Sequence, residues 1–313
     1  MTINSSEVIN TVPEVGAIPR PLDLKLREIL CFDDFGPDKT GVASVSTAWQ
    51  NFMNALRAGP CKHGYIPQGI YRFSSQPADI DFPVVLEGDG LNATSFIRDY
   101  NGTSGKGLLS FTAGSNGSTL RGIGVASEVG TSSGALISIK STATSAVGSI
   151  TLEDLYLTTR GSDTHETTLY VDGTAKATPA TGCRVLSLRN VAVFGSSGYS
   201  VVLKGVQGLT WTGGGIYPAG GTGAASGGLQ ISGTSTVKSV NIRIAAEAVN
   251  YINLTQAQTC HLAFNSIGAT SGVSLDNDGT ASTTMLQASY IGGLVRNNWV
   301  NSGVYRPTGW SAT

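Results

Sequence analysis

Carboxylates, an imidazole and aromatic rings gather in a few places along this chain. The densest is Asp163-Thr164-His165-Glu166, with Glu128 in the loop before it. Two carboxyls flanking a glycosidic bond can hydrolyse it, one protonated as the acid and the other acting as base or nucleophile. Asp163, Glu166 and Glu128 are therefore the candidate catalytic residues. Asp99, Tyr100, Arg160, His165, Tyr199 and Tyr217 fall in neighbouring loops. Aromatic platforms with polar neighbours suit a saccharide, so these six are candidate sugar-binding residues. A polar run such as Asp163 to Glu166 suits a solvated loop tip equally well, and sequence gives no carboxyl separation.

Other chemistries find little support. His63, His165 and His261 have no metal-ligand spacing, so neither a metal nor a cofactor is expected. The glycine runs Gly213-Gly214-Gly215 and Gly220-Gly221-Thr222-Gly223 have no following phosphate-loop lysine, and read as turns. Cys31, Cys61, Cys183 and Cys260 lack a Cys-x-x-Cys spacing, which predicts free, mostly buried thiols in a chain folded in a reducing cytosol. A net charge of −1 with no basic stripe argues against nucleic acid. No apolar run approaches membrane-spanning length, so no membrane insertion is expected. The first residues, MTINSSEVINTVPEVG, lack the basic and apolar regions of a secretory signal.

The candidate residues need a scaffold, and the apolar pattern supplies one. Apolar residues recur at Leu86, Leu120, Leu152, Leu188, Trp211, Ile242, Leu262 and Leu286. Five residues later the column reads Leu91, Val125, Leu157, Val193, Ile216, Glu247, Ile267 and Ile291. Between successive members lie alternating pairs: Leu109/Phe111, Ile137/Ile139, Leu169/Val171, Val201/Leu203, Leu229/Ile231, Ile252/Leu254 and Val273/Leu275. Period-2 alternation bounded by Gly, Ser and Asn marks half-buried strands. Two strand types in strict alternation, with loops of variable length, describe a wound coil. The expected fold is all-β, a right-handed parallel β-helix, whose inward side chains stack into one long core. Eight coils at about 4.8 Å give a shaft of roughly 40 Å.

The register also sorts the outward residues. One column runs Glu87, Arg121, Glu153, Arg189, Thr212, Arg243, Ala263, Gln287, and a second runs Thr112, Lys140, Asp172, Lys204, Ser232, Thr255, Asp276. Opposite charges alternate on successive coils, which predicts ion-pair ladders on a surface or between subunits. Glu247 falls in an inward column, where an unpaired carboxylate is costly, so a register slip at Ile244-Ala245-Ala246 is expected, the alternative being a pairing with a cation such as Arg243. The loops at 96–106, 126–134, 158–168, 194–199 and 217–228 leave one corner of each coil, which puts the candidate site residues on one face.

In chain order, residues 1–30 form an arm, and 1–21 are rich in proline and poor in large apolar residues. Residues 31–73 lead into the shaft. Within them Thr47 to Arg57 reads as a helix burying Ala48, Phe52, Ala55 and Leu56, with Ser46 or Thr47 as N-cap and a stop at Gly59-Pro60. The shaft is expected over 74–295. The tail 296–313, with Trp299, Val304, Tyr305 and Trp310, would cover its last coil, because an open end polymerises.

The lead-in resembles that of phage tailspikes and related pectate-lyase-like β-helix proteins. Their pattern of an "LRE" lead, "DFG", a short helix and "P-x-G-x-Y" is matched by Leu26-Arg27-Glu28, Asp34-Phe35-Gly36, Trp49 to Leu56, and Pro67-Gln68-Gly69-Ile70-Tyr71. The likeness spans about residues 22–73. The family's acidic "DGxxDDT" loop is replaced by Thr40 to Thr47, which weakens carry-over of any site there. The resemblance implies a homotrimeric protein of the virion tail, folded in the host cytoplasm. It implies docking on the tail or an adaptor through residues 1–21, and recognition and depolymerisation of host surface polysaccharide. A purely structural or adhesive tail β-helix, and a bacterial polysaccharide lyase or hydrolase, are the alternatives.

Overall fold

The computed structural model describes residues 29–296 apart from 130, 161–163, 177–181, 219–225, 235 and 278–284, together with the pairs 9–10 and 20–21. Within the arm, Ile9-Asn10 pairs antiparallel with Arg20-Pro21. The expected C-terminal cover at Trp299 to Trp310 lies outside the described residues.

From Leu30 onward the chain winds through parallel pairings between successive coils. Three faces result. The first face stacks Val85–Gly88 under the opening residues of Thr119–Ser127, Thr151–Thr159, Leu186–Phe194 and Leu209–Tyr217. The second stacks Thr94–Arg98 under the closing residues of those same strands. The third stacks Gly107–Phe111, Thr131–Lys140, Thr164–Asp172, Val201–Lys204, Gly228–Ser232 and Tyr251–Thr255.

The first and second faces share continuous strands because each bends at a left-handed residue. Gly122, Asp154, Asn190, Gly213 and Gly214 all have positive φ. Glycine and asparagine tolerate this conformation with little steric cost. Asn190 Nδ2 donates to Asp154 Oδ1 at 2.7 Å across the corner. A second corner carries Ser149, Val185, Asn241 and Thr259, also at positive φ.

Leu86, Leu120, Leu152, Leu188 and Trp211 do stack in register and are buried. No slip occurs at Ile244-Ala245-Ala246; the whole strand instead lies two residues out of the expected phase from its start. Leu209 pairs with Ile242 and Trp211 with Ile244, so Ile244, not Ile242, holds the column. Val249 then takes the inward place, pairing with Ile267, and Glu247 is exposed. Three further positions differ from the sequence reading. Phe96, not Leu91, pairs with Val125. Ala245 replaces Arg243 in the outward column. Ile252 pairs with Leu275, so Asp276 lies beside Asn253 rather than Thr255.

Helix α1 (Ser46–Ala58) covers the N-terminal end of the core. Trp49, Phe52, Met53 and Leu56 share one face at helical spacing and are buried. The helix begins one residue before the expected range. Ser44, outside it, provides the hydroxyl that accepts from Ser46 N, at 3.3 Å. Lys62 Nζ reaches the carbonyls of Leu56, Arg57 and Gly59 at the other end, where the helix dipole favours a cation. Trp49 meets Phe32, Phe73 and Phe96 edge-on, with ring centroids 5.2–5.7 Å apart. A Cβ on Gly64 would sit 2.5 Å from Phe52 Cζ, so only glycine lets the helix lie this close to the coil.

Candidate functional site

Asp99, Glu128 and Arg160 follow the second-face strands of three successive coils. Arg72, at the end of Gly69–Phe73 one coil below, joins them. Its guanidinium donates to Asp99 Oδ2 at 2.8 Å and Glu128 Oε2 at 2.6 Å, and its Nε donates to the Gly41 carbonyl. Arg160 Nη1 donates to Glu128 Oε1 at 3.0 Å. Both Glu128 oxygens are thus taken by arginines. Burial pushes its carboxyl up, but the bonds from Arg160 and Arg72 outweigh burial and hold it below its ordinary value. This clamp supplies an ionised carboxylate, not a proton donor.

Tyr100 packs against the core, with the Arg98 guanidinium 6.0 Å from its ring centre. Arg98 is fully buried and donates to the carbonyls of Ser133 and Ala135. His165 is not at a loop tip. It lies in Thr164–Asp172, paired with Ser132, and is fully buried. Its Nε2 is 2.7 Å from Thr168 Oγ1, and its Nδ1 has no hydrogen-bond partner among the described residues. Burial, then the Arg98 charge, lowers the His165 pKa to about 3, so the imidazole is neutral at ordinary pH. Glu166 accepts from Ser104 Oγ at 2.7 Å and from the Gly134 amide at 2.9 Å, tying the turn at Ser104 to the strand Thr131–Lys140. Asp163 lies outside the described residues.

The tyrosines sit on later coils. Tyr217 stacks on Phe194 with centroids 4.7 Å apart, and Phe194 meets Tyr156 at 4.8 Å. Tyr217 donates to Glu247 Oε2 at 3.0 Å. Burial first, then this bond, raises the Tyr217 phenol pKa. Tyr199 stacks on Tyr251 at 5.7 Å. The structure therefore divides the expected single cluster into three: the Arg72 clamp, the buried Arg98–His165 interior, and the aromatic stacks.

A fourth group adds His63 and Tyr65, which escaped the sequence reading, to the expected Glu87–Arg121 pair. On the outer side of the first face, Tyr65 pairs with Glu87, which pairs with Arg121. Glu87 Oε2 accepts from Arg121 Nη2 at 2.7 Å and lies 3.0 Å from His63 Nε2. Tyr65 donates to Asp89 Oδ1 at 2.5 Å. The Arg121 bond is foremost in holding the Glu87 carboxyl below its ordinary value, against the effect of burial. The Asp89 bond is foremost in pushing the Tyr65 phenol up to about 12. The available signal was the alternation His63-x-Tyr65, which points two functional groups outward from one strand.

Among the described residues, no cluster of three or more His, Cys, Asp or Glu could hold a metal ion, and no helix is long and apolar enough to cross a membrane.

The coil geometry has counterparts among solved structures. The A-module of the Azotobacter vinelandii mannuronan C-5 epimerase AlgE6 superposes with a TM-score of 0.53 at 14% identity, over 82% of this chain and 79% of that one. The chain has the right-handed parallel β-helix fold. The AlgE4 A-module from the same organism gives 0.51 at 14% identity, over 84% of this chain and 76% of that one. ORF18 of Geobacillus virus E2 gives 0.41 at 13% identity, over 85% of this chain and 42% of that one. At these identities the β-helix likeness is one of fold alone. No protein-family model and no curated protein matches the sequence.

Proposed function

We propose that this β-helix is a tailspike-type receptor-binding protein that lays a host surface polysaccharide along its shaft. The observation that carries the reading is the register of outward side chains on the second face and its corner. Asp99, Glu128 and Arg160 follow one another coil by coil, and Phe194 and Tyr217 stack on the coils above. Equivalent positions repeat about every 4.8 Å, comparable with the length of one pyranose unit, so a linear glycan meets similar chemistry at each step. The lead-in resemblance supports the tail assignment, and the polysaccharide-directed modules that share the fold support the glycan. The protein works as a homotrimer docked through residues 1–21.

At this corner the reading is binding rather than hydrolysis. Glu128 is held as a carboxylate by two arginines, and both Glu166 oxygens already accept bonds, from Ser104 and the Gly134 amide. The direct test incubates the purified protein with polysaccharide extracted from the host surface and measures retention on the immobilised glycan. Loss of retention in Tyr217→Ala together with Arg160→Ala is the expected result. Wild-type protein that is not retained on any host glycan would overturn the reading.

A further inference from the structure

Two strand edges end the shaft at its N-terminal side. On the first face the edge is Leu30–Cys31, two residues that pair with Gly64 and Tyr65. On the second face it is Thr40–Ser44, five residues paired with Gly69–Phe73, its only strand partner among the described residues. Helix α1 covers the apolar core at this end, but strand amides need acceptors of their own. A two-residue edge is too short to be a template, whereas a five-residue edge with open amides invites another strand to pair. Its side chains invite one too. Val42 is 82% exposed, the highest value for a large apolar residue among the described residues.

One carboxylate meets those amides. Asp38 Oδ1 accepts from Thr40 N at 2.9 Å and from Thr40 Oγ1 at 2.7 Å. Asp38 Oδ2 accepts from Val42 N at 3.0 Å and from Ala43 N at 2.5 Å. In a regular strand neighbouring amides point to opposite sides. Here Val42 and Ala43 turn theirs to one oxygen because the strand is bulged. Its pairing shifts between Thr40 and Ser44, and Gly41 has φ +77°. A Cβ on Gly41 would lie 2.5 Å from Ile70 Cγ2, so the bulge needs glycine. The Thr40 hydroxyl foremost, then the amides, hold the Asp38 carboxyl down to about 2, so it stays ionised at ordinary pH. Three amides that a neighbouring strand's carbonyls would take are thus occupied from within the chain.

The other end of the shaft supplies the strand that would compete. Met285–Arg296 pairs with Cys260–Asn277. Between the two ends the coils pair in parallel. The C-terminal edge of one copy set against the N-terminal edge of another would repeat the pairing already used inside the shaft. We propose that Thr40–Ala43 is a strand-pairing surface for the Met285–Arg296 edge of a second copy of this chain, and that Asp38 holds it shut. Such a contact joins two different surfaces, so it does not close, and each added copy brings a fresh edge. Asp38 and the bulge at Gly41 keep the protein from growing end to end, a task that helix α1, lying over the core, does not perform. This holds whatever the shaft binds along its length.

The test uses the full chain. It reads mass by light scattering across a concentration series and particle length in electron micrographs. Native protein should keep one mass throughout. Asp38→Ala should rise to about twice that mass or more, as rods in whole multiples of the native length. Adding Val42→Lys to Asp38→Ala should return the native mass, because an edge lysine blocks pairing without replacing the lost bonds. Excess native protein offers a C-terminal edge but no open N-terminal one, so it should shorten the rods. Hydrogen exchange at Val42 and Ala43 should be slow in the native chain and on the order of tenfold faster in dilute Asp38→Ala. Melting curves check folding. If Asp38→Ala melts early, Asp38→Asn, which keeps one acceptor oxygen, takes its place and should associate at higher concentration. An unchanged mass in a folded variant overturns the proposal and leaves Asp38 as a brace for its own turn. Association that Val42→Lys does not reverse also overturns it, because another surface is then responsible. A discrete dimer that stops growing, or rods indifferent to native protein, overturns the head-to-tail partner. Fast native exchange at both amides overturns the seal itself.

Discussion

His165 ties the buried interior to pH. Burial, and then the Arg98 charge, hold its folded pKa to about 3, against 6.5 for the unperturbed side chain. The folded chain therefore binds fewer protons than the unfolded chain across that interval. The stability it contributes is complete above about 6.5 and is lost as pH falls toward 3. Between pH 7 and pH 5 the unfolded histidine goes from mostly neutral to almost wholly protonated, while the folded one stays neutral. Linkage turns that difference into roughly 2 kcal/mol of lost stability over the two units. The window lies above most carboxylate titration, so little else with a depressed pKa contributes. Urea unfolding midpoints at pH 7, 6 and 5, for the native chain and His165→Gln, isolate the effect. The variant has its own cost from altered packing, but that cost is constant with pH. The difference between the two chains should shrink by roughly 2 kcal/mol on acidification. Parallel stability curves over this range would refute the burial argument, as would a native His165 imidazole titrating near 6.5 by NMR.

Reversing Glu153 to Lys puts a third cation between Arg121 and Arg189, three in a row. The ladder is partly exposed, so the loss should be about 0.5–1 kcal/mol, falling with salt, by thermal melting. Adding Arg121→Glu and Arg189→Glu should restore much of it; a triple variant no better than the single one would break the register. Arg72→Ala removes the donors to Asp99 and Glu128 together and should cost about 1.5–3 kcal/mol in urea unfolding. Val185, a β-branched residue at φ +56° and 66% exposed, should give a chain about 0.5–1 kcal/mol more stable as Val185→Asn. Light scattering at micromolar concentration should show a trimer, and deleting residues 1–21 should leave the melting transition nearly unchanged while abolishing assembly onto phage particles.

The coil was legible because burial on a half-exposed strand imposes period 2, and loops of any length leave that period intact. What failed was phase. Ile242 and Ile244 are both inward and both isoleucine, so nothing local distinguishes them as the partner of Trp211. Leu91 and Phe96 are both apolar, and only pairing with Val125 separates them. The site was less legible for a related reason. Arg72 reaches Glu128 across 56 residues of sequence, and His63 meets Glu87 across 24. Polarity also misled at His165, where a run that reads as a loop tip contains a strand residue buried against Thr168. The first outward column was readable because charge alternates along an already known register, and it makes the Glu87–Arg121 and Glu153–Arg189 pairs. In the second column Asp172 accepts from Tyr170 and Thr174, and Lys140 and Lys204 lie over the Tyr170 ring instead of pairing with that carboxylate. Arg243 and Asp276 are displaced from the two columns by the late shifts.

Those columns have a shared parity. The coil bearing Arg121 also bears Lys140, the next bears Glu153 and Asp172, and the next Arg189 and Lys204. Successive coils are therefore alternately basic and acidic at two separate faces. Duplicating one of these coils would set like charges together on both faces at once, whereas duplicating an adjacent pair would keep the alternation whole. A shaft built this way can lengthen or shorten cleanly only by even steps in this region. A strand pairing displaced by one coil during folding is penalised twice, and one displaced by two coils is not.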